Sequence, residues 1–169
     1  NSNLEAGDYM LSVNDANNCI LQDTFTINQY TFKMDAIASD VSCYSYSNGA
    51  IDIEVINGFP PYMYLWNTGD ITEDINTLSP GLYTCTISDT LGCVRDSTFL
   101  VNEPQLLIAT SDISNVSCYG GNDGSVSLNI IGGTNPYNVD WGSIDTNNLF
   151  AGIYNFEITD SNGCIFNDL

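Results

Sequence analysis

The 169-residue chain has no histidine and only two Lys+Arg, set against 21 Asp+Glu for a formal charge of −19. A surface of that sign repels phosphate, so nucleic acid and anionic membrane surfaces are excluded as partners. Without histidine, and with Lys33 and Arg95 as the only basic side chains, most acid–base and nucleophilic chemistry has no residues to run on. A carboxylate pair of the glycosidase kind is the one remaining option. No acidic pair stands in such a context, so the chain is read as not an enzyme.

Long apolar runs are missing as well. No stretch approaches the 18 or so residues that span a bilayer, so no membrane insertion is expected in this segment. The first ten residues, Asn1 to Met10, lack the basic and apolar regions of a signal peptide. The helix formers Lys, Arg and Glu are scarce. What is present is 43% hydrophobic and 11% aromatic residues, enough to build cores. Enrichment in Tyr, Thr, Val, Ile, Asn, Asp and Gly favours strands joined by tight turns, and the fold class is all-β.

Self-comparison sets the architecture. Val41-Ser42-Cys43-Tyr44 recurs as Val116-Ser117-Cys118-Tyr119, a shift of 75 that also carries Asn48-Gly49 onto Asp123-Gly124, Pro61-Tyr62 onto Pro136-Tyr137 and Trp66 onto Trp141. Beyond the tryptophan the shift falls to 71, carrying Leu78, Gly81, Tyr83, Asp89, Gly92 and Cys93 onto Leu149, Gly152, Tyr154, Asp160, Gly163 and Cys164. Leu4, Gly7, Tyr9, Asp15 and Cys19 lie 74 before Leu78, Gly81, Tyr83, Asp89 and Cys93. The chain therefore divides into the end of a first copy (1–30), a complete middle copy (31–104) and a third copy lacking most of its last strand (105–169). The length change falls where Asn67 to Thr77 becomes Gly142 to Asn148, as expected of a surface loop.

Each copy reads as an immunoglobulin-like β-sandwich of about 71–75 residues, short alternating runs punctuated by turn residues. Ile51, Ile53 and Val55 point inward against Asp52 and Glu54 outward, Asn57-Gly58-Phe59-Pro60-Pro61 turns the chain, and Tyr62 to Trp66, Leu82 to Ser88 and Cys93 to Val101 continue it. Asn102-Glu103-Pro104 ends the middle copy with almost no linker. Abutting sandwiches with a proline at the join predict a semi-rigid rod.

The third copy carries Val-Ser-Cys-Tyr-Gly-Gly-Asn-Asp-Gly-Ser (116 to 125), Gly-Gly-Thr-Asn-Pro-Tyr (132 to 137), Trp141, Ala-Gly-Ile-Tyr (151 to 154) and Thr-Asp-Ser-Asn-Gly-Cys (159 to 164). This pattern resembles the SprB repeat, a module found in many tandem copies in very large cell-surface adhesins of gliding bacteria. The middle copy departs from it at Tyr44-Ser45-Tyr46-Ser47 and at Phe59-Pro60. The resemblance implies type IX secretion, display on the outer surface of the cell, cell adhesion in gliding motility, and the gliding and secretion machinery as partners. The expected function is a stalk or filament segment that displays adhesive surface to an extracellular surface or polysaccharide and transmits load. The alternatives are polysaccharide-binding repeats, or accessory modules of a large secreted hydrolase.

Six cysteines without histidine suit disulfides in an exported protein better than zinc, which wants Cys-x-x-Cys knuckles. A bond within each copy would join Cys43 to Cys93 and Cys118 to Cys164. In a simple sandwich those positions lie at opposite poles, roughly 25 Å apart for a strand of about eight residues, whereas a disulfide needs Cα atoms within about 7 Å. Cys43 to Cys164, between neighbouring copies, is the geometric alternative, and free thiols are the third. Cys85 replaces the core residues Leu11 and Phe156 of the other copies and is read as a buried free thiol.

Trp66 and Trp141 suggest stacking platforms for sugars, but recurrence at one structural position favours core tryptophans. Tyr9, Tyr83 and Tyr154 follow Gly-x where a strand begins and read as structural corner tyrosines, the last two counted with the core. No cofactor is expected. Calcium is the one credible ligand for so acidic a chain, with Asp70, Glu73 and Asp74 in one loop and Asp15, Asp89 and Asp160 recurring at another. No full calcium-loop signature appears, and Asp in a hairpin needs no metal. Asp89-Thr90-Leu91 and Asp96-Ser97-Thr98 resemble sites that gliding bacteria O-glycosylate, making Thr90 and Ser97 the candidates.

Overall fold

The computed structural model describes residues 3–29 and 32–168, and every regular element among them is a strand. The first copy contributes one antiparallel hairpin, β1 (Gly7–Asn14) and β2 (Ile20–Ile27), paired in full from Gly7↔Ile27 to Asn14↔Ile20.

The middle copy supplies β3 (Lys33–Ser39), β4 (Gly49–Ile56), β5 (Met63–Trp66), β6 (Ile75–Leu78), β7 (Gly81–Ser88) and β8 (Val94–Val101). They form two three-stranded sheets, β3-β4-β6 and β5-β7-β8. The two-residue alternation that marked β4 does what its pattern requires: Ile51 and Ile53 are buried and Asp52 and Glu54 are exposed. These side chains meet Trp66, Cys85, Ile87 and Val101 of the other sheet, with Phe32, Val41, Ile75 and Leu78 completing the core. Two sheets packed face to face over one apolar layer make a sandwich. Each large side chain in it contributes ~1.5–3 kcal/mol of burial free energy. The stretch 67–77, expected to be loop throughout, contains the start of β6, because Ile75 and Leu78 both have a place in that core.

The third copy repeats the plan in reduced form, with β9 (Ile108–Ser114), β10 (Ser125–Ile131), β11 (Asn138–Asp140), β12 (Phe156–Thr159) and β13 (Ile165–Asp168). Its sheets are β9-β10 and β11-β12-β13. A single bridge, Gly124↔Leu149, stands where Gly49 and Leu78 pair β4 to β6. Leu107, Phe156 and Ile158 form its buried core.

Residues 102–107 between the two sandwiches are pinned on both sides. Asn102 N–H and Glu103 Oε2 bond back to Asp40 Oδ1 and Ser45 N–H at 2.7 and 2.8 Å. Gly133 N–H donates to the Gln105 carbonyl at 2.8 Å, and Leu107 is buried in the third copy's core. A join held this way cannot act as a free hinge.

Candidate functional site: the joint between repeats

The loop after β3 is shaped by its own polar residues. Val41, buried, donates its N–H to the Asn102 carbonyl at 3.1 Å. Ser42 N–H donates to Asn48 Oδ1 at 3.0 Å, and Asn48 Nδ2 returns a bond to Ser42 Oγ at 2.8 Å. Tyr46 N–H closes the turn on the Cys43 carbonyl at 3.1 Å. Ser45 sits at φ 60, where the third copy has Gly120 at φ 76. The turn needs a left-handed residue, and the serine adopts that conformation without the freedom of glycine.

The second half of the joint is the β12–β13 hairpin. Asp160 is buried, and its Oδ1 accepts the N–H groups of Asn162 and Cys164 at 2.9 and 2.8 Å. Its Oδ2 accepts Thr134 N–H at 2.8 Å, which ties the hairpin to the loop holding the cis Asn135–Pro136 bond. Asp89 does the same for Leu91 and Cys93 at 2.9 and 3.0 Å, and Asp15 for Asn17 and Cys19 at 2.8 and 2.9 Å. The fourth loop position takes a left-handed conformation in all three copies: Asn18 at φ 65, Gly92 and Gly163 both at φ 81. The recurring aspartates that suggested calcium are hairpin brackets, their charge met by backbone donors.

These two loops meet. Cys43 and Cys164 form a disulfide, with Sγ–Sγ 2.06 Å and Cα–Cα 5.7 Å across 121 residues. Beside it, Asn162 Nδ2 donates to the Ser42 carbonyl at 3.0 Å and to Thr134 Oγ1 at 3.1 Å. The pairing within copies is not formed: Cys93 and Cys118 are free thiols, half-buried and exposed. Cys19 is free and exposed, and Cys85 is free and fully buried. Burial pushes the Cys85 thiol above its ordinary pKa, so it stays protonated and unreactive.

The other candidate residues are dispersed. Asp70 accepts from Thr68 Oγ1 at 2.7 Å, Glu73 from Tyr64 Oη at 2.8 Å and Asp74 from Ile53 N–H at 3.0 Å. The three loop acids thus serve three partners and do not converge. Among the described residues, no group of three or more Cys, Asp or Glu side chains gathers as metal ligands would. Ser97 lies half-buried opposite Cys85 on the inward face of its sheet, a poor place for a glycan. Thr90 is exposed, but its hydroxyl donates to the Phe59 carbonyl at 3.0 Å.

Trp66 is 2% exposed and its indole N–H donates to the Thr72 carbonyl at 2.9 Å. Trp141 is only half-buried. Its surroundings explain the difference, because Phe99 packs on Trp66 at 5.9 Å between ring centroids and Val101 fills the space over Gly49. In the third copy the matching space is an open groove of about 440 Å³ bordered by Val116, Gly124, Trp141, Leu149, Tyr154 and Phe156. Tyr83 and Tyr154, counted with the core from sequence, are half-buried. Each hydroxyl donates to the carbonyl four residues back, as Tyr9 also does, at 2.8, 2.9 and 2.7 Å. That repeated bond closes the corner before the strand.

The sequence signal for the joint was the recurrence of cysteine after the first strand and at the start of the last, positions at opposite poles of one sandwich; the clasp from Asn162 to Ser42 had no signal, since it links separate copies. No curated protein and no solved structure matches the chain. The family model of the SprB repeat matches residues 36–71 and 110–146, the first strand to the loop beyond Trp66 in the middle copy and the equivalent region of the third. Both matches take in the loop cysteine, Cys43 or Cys118, and stop short of the hairpin cysteine. The chain thus carries two SprB repeats, members of a structural repeat family of cell-surface proteins.

Proposed function

We propose that this chain is a load-bearing segment of a cell-surface adhesin of the gliding type, exported and displayed outside the cell. The observation that carries this reading is the Cys43–Cys164 bond across two consecutive repeats. Tension entering along β3 and leaving along β13 passes through that bond, so the chain between Cys43 and Cys164 is spared extension. The pinned join keeps the repeats from swinging, and a disulfide suits the oxidising exterior. Tyr44 and Tyr119, at equivalent positions beside the loop cysteines, are both exposed and give a recurring aromatic contact for an extracellular surface or polysaccharide. A net charge of −19 holds neighbouring filaments apart.

Single-molecule stretching of the whole chain, oxidised and then reduced, tests the load path. Reduction should release the 121-residue interval, about 400 Å of extra contour at full extension. Equal extension in both states would sink the proposal.

A further inference from the structure

The joint has two halves, and the chain carries more halves than joints. Cys118 sits in a loop built like that of Cys43: Ser117 N–H donates to Asp123 Oδ1 at 3.0 Å, Gly121 N–H to the Cys118 carbonyl at 2.9 Å, and Gly120 takes the left-handed turn position. Yet Cys43 is 4% exposed, shielded by its partner, while Cys118 is exposed and its neighbour Tyr119 fully so. On the hairpin side, the Asp15 loop is bracketed like the Asp160 loop and ends in the exposed Cys19.

The hairpins differ in one respect that bears on recognition. Asn162, which clasps the Ser42 carbonyl, has its counterpart in Asn17, two residues before Cys19, whereas Leu91 stands two before Cys93. Only an Asp-x-Asn-x-Cys hairpin offers both the thiol and the amide donor. Cys93 is also half-buried against the middle core.

We infer that Cys118 is the open half of a second joint, and that it takes the Asp-x-Asn-x-Cys hairpin of a further repeat, the loop that Asp15 to Cys19 displays on a second copy of this chain. The amide of Asn17 then donates to the Ser117 carbonyl as Asn162 does to that of Ser42. Joined so, copies link head to tail, each covalently tied to the next. With glutathione disulfide as oxidant, one cysteine thiolate attacks it and releases one glutathione; the other thiolate displaces the second, and both thiol protons end on the two reduced glutathiones. This inference stands whether or not the segment is adhesive.

The test is oxidation of the full chain in a mixed reduced and oxidised glutathione buffer, followed by non-reducing electrophoresis and mass mapping of cross-linked peptides. The expected result is a ladder of linear multimers in which the Cys118 peptide is bonded to the Cys19 peptide several-fold more than to the Cys93 peptide. Asn17→Ala, an exposed turn residue whose folding is checked by circular dichroism, should cut that preference while leaving Cys19 equally reactive to a small thiol reagent. Cys118–Cys118 dimers as the main product would overturn the inference. So would Cys118 ending as a glutathione adduct, or Asn17→Ala leaving the Cys19 bond unchanged.

Discussion

Asn162 of the third copy donates its side-chain amide to the main-chain carbonyl of Ser42 in the middle copy, 3.0 Å away and next to the disulfide. The joint is therefore polar as well as covalent. A net hydrogen bond of this kind is worth ~0.5–1.5 kcal/mol. Asn162→Ala should speed reduction of the Cys43–Cys164 bond by dithiothreitol roughly 2- to 13-fold through the easier opening of the joint. Timed alkylation and mass analysis read that rate directly; an unchanged rate would make the contact incidental.

Asp160 accepts three backbone N–H groups with its two oxygens. Asp160→Ala leaves those donors without their acceptor and should lower the stability of the third copy by ~3 kcal/mol. Because the bracket is complete without a metal, the thermal midpoint of the native chain should be the same in calcium and in chelator, since only a ligand selective for the folded state raises it. A calcium-dependent rise in the midpoint would reinstate a cation site.

Both tryptophans pack on a core, Trp66 fully and Trp141 in part. Trp66→Ala removes a fully packed ring and its bond to Thr72, and should cost ~3–5 kcal/mol in denaturant unfolding of the middle copy. Trp141→Ala, at the edge of an open groove, should cost less than half as much. Tryptophan quenching by iodide gives the companion readout, with the native signal coming almost entirely from Trp141.

Tyr64 has its hydroxyl pKa raised well above the ordinary tyrosine value, first by burial and then by its bond to Glu73. The protonated phenol is the form the fold favours. Its stabilisation is complete below about pH 10, where the unfolded tyrosine begins to ionise, and is lost as pH climbs from there toward the folded value. Tyr64→Phe should flatten part of the alkaline decline in the unfolding midpoint. Parallel slopes for the two proteins between pH 10 and 12 would contradict this.

Much of this fold was legible because its determinants are local. The alternation at Ile51, Asp52, Ile53 and Glu54 fixes which face of β4 is buried, and the Gly-x-Tyr corner recurs with the same hydrogen bond three times. The strand β6 was hidden, because four residues in a polar loop give too short a run to show a period. Trp141 was read as a core tryptophan from its recurrence at one position, and it packs on the third copy's core, 4.9 Å from Phe156 between ring centroids, half-buried where Trp66 is fully covered. The recurring aspartates were noticed for their charge and weighed as calcium ligands against plain hairpin residues, whereas the nearby backbone N–H groups that satisfy them are invisible in a list of side chains. Cysteine pairing was narrowed by a distance argument alone, since opposite poles of one sandwich lie too far apart for a bond.

Proteases cut at exposed loops, and those around Asp70 and Ile144 are the natural places in this chain. Both loops lie inside the interval closed by Cys43 and Cys164. A single nick there leaves a branched but unbroken molecule, its two ends still joined through sulfur, so the segment survives damage that would sever an open chain.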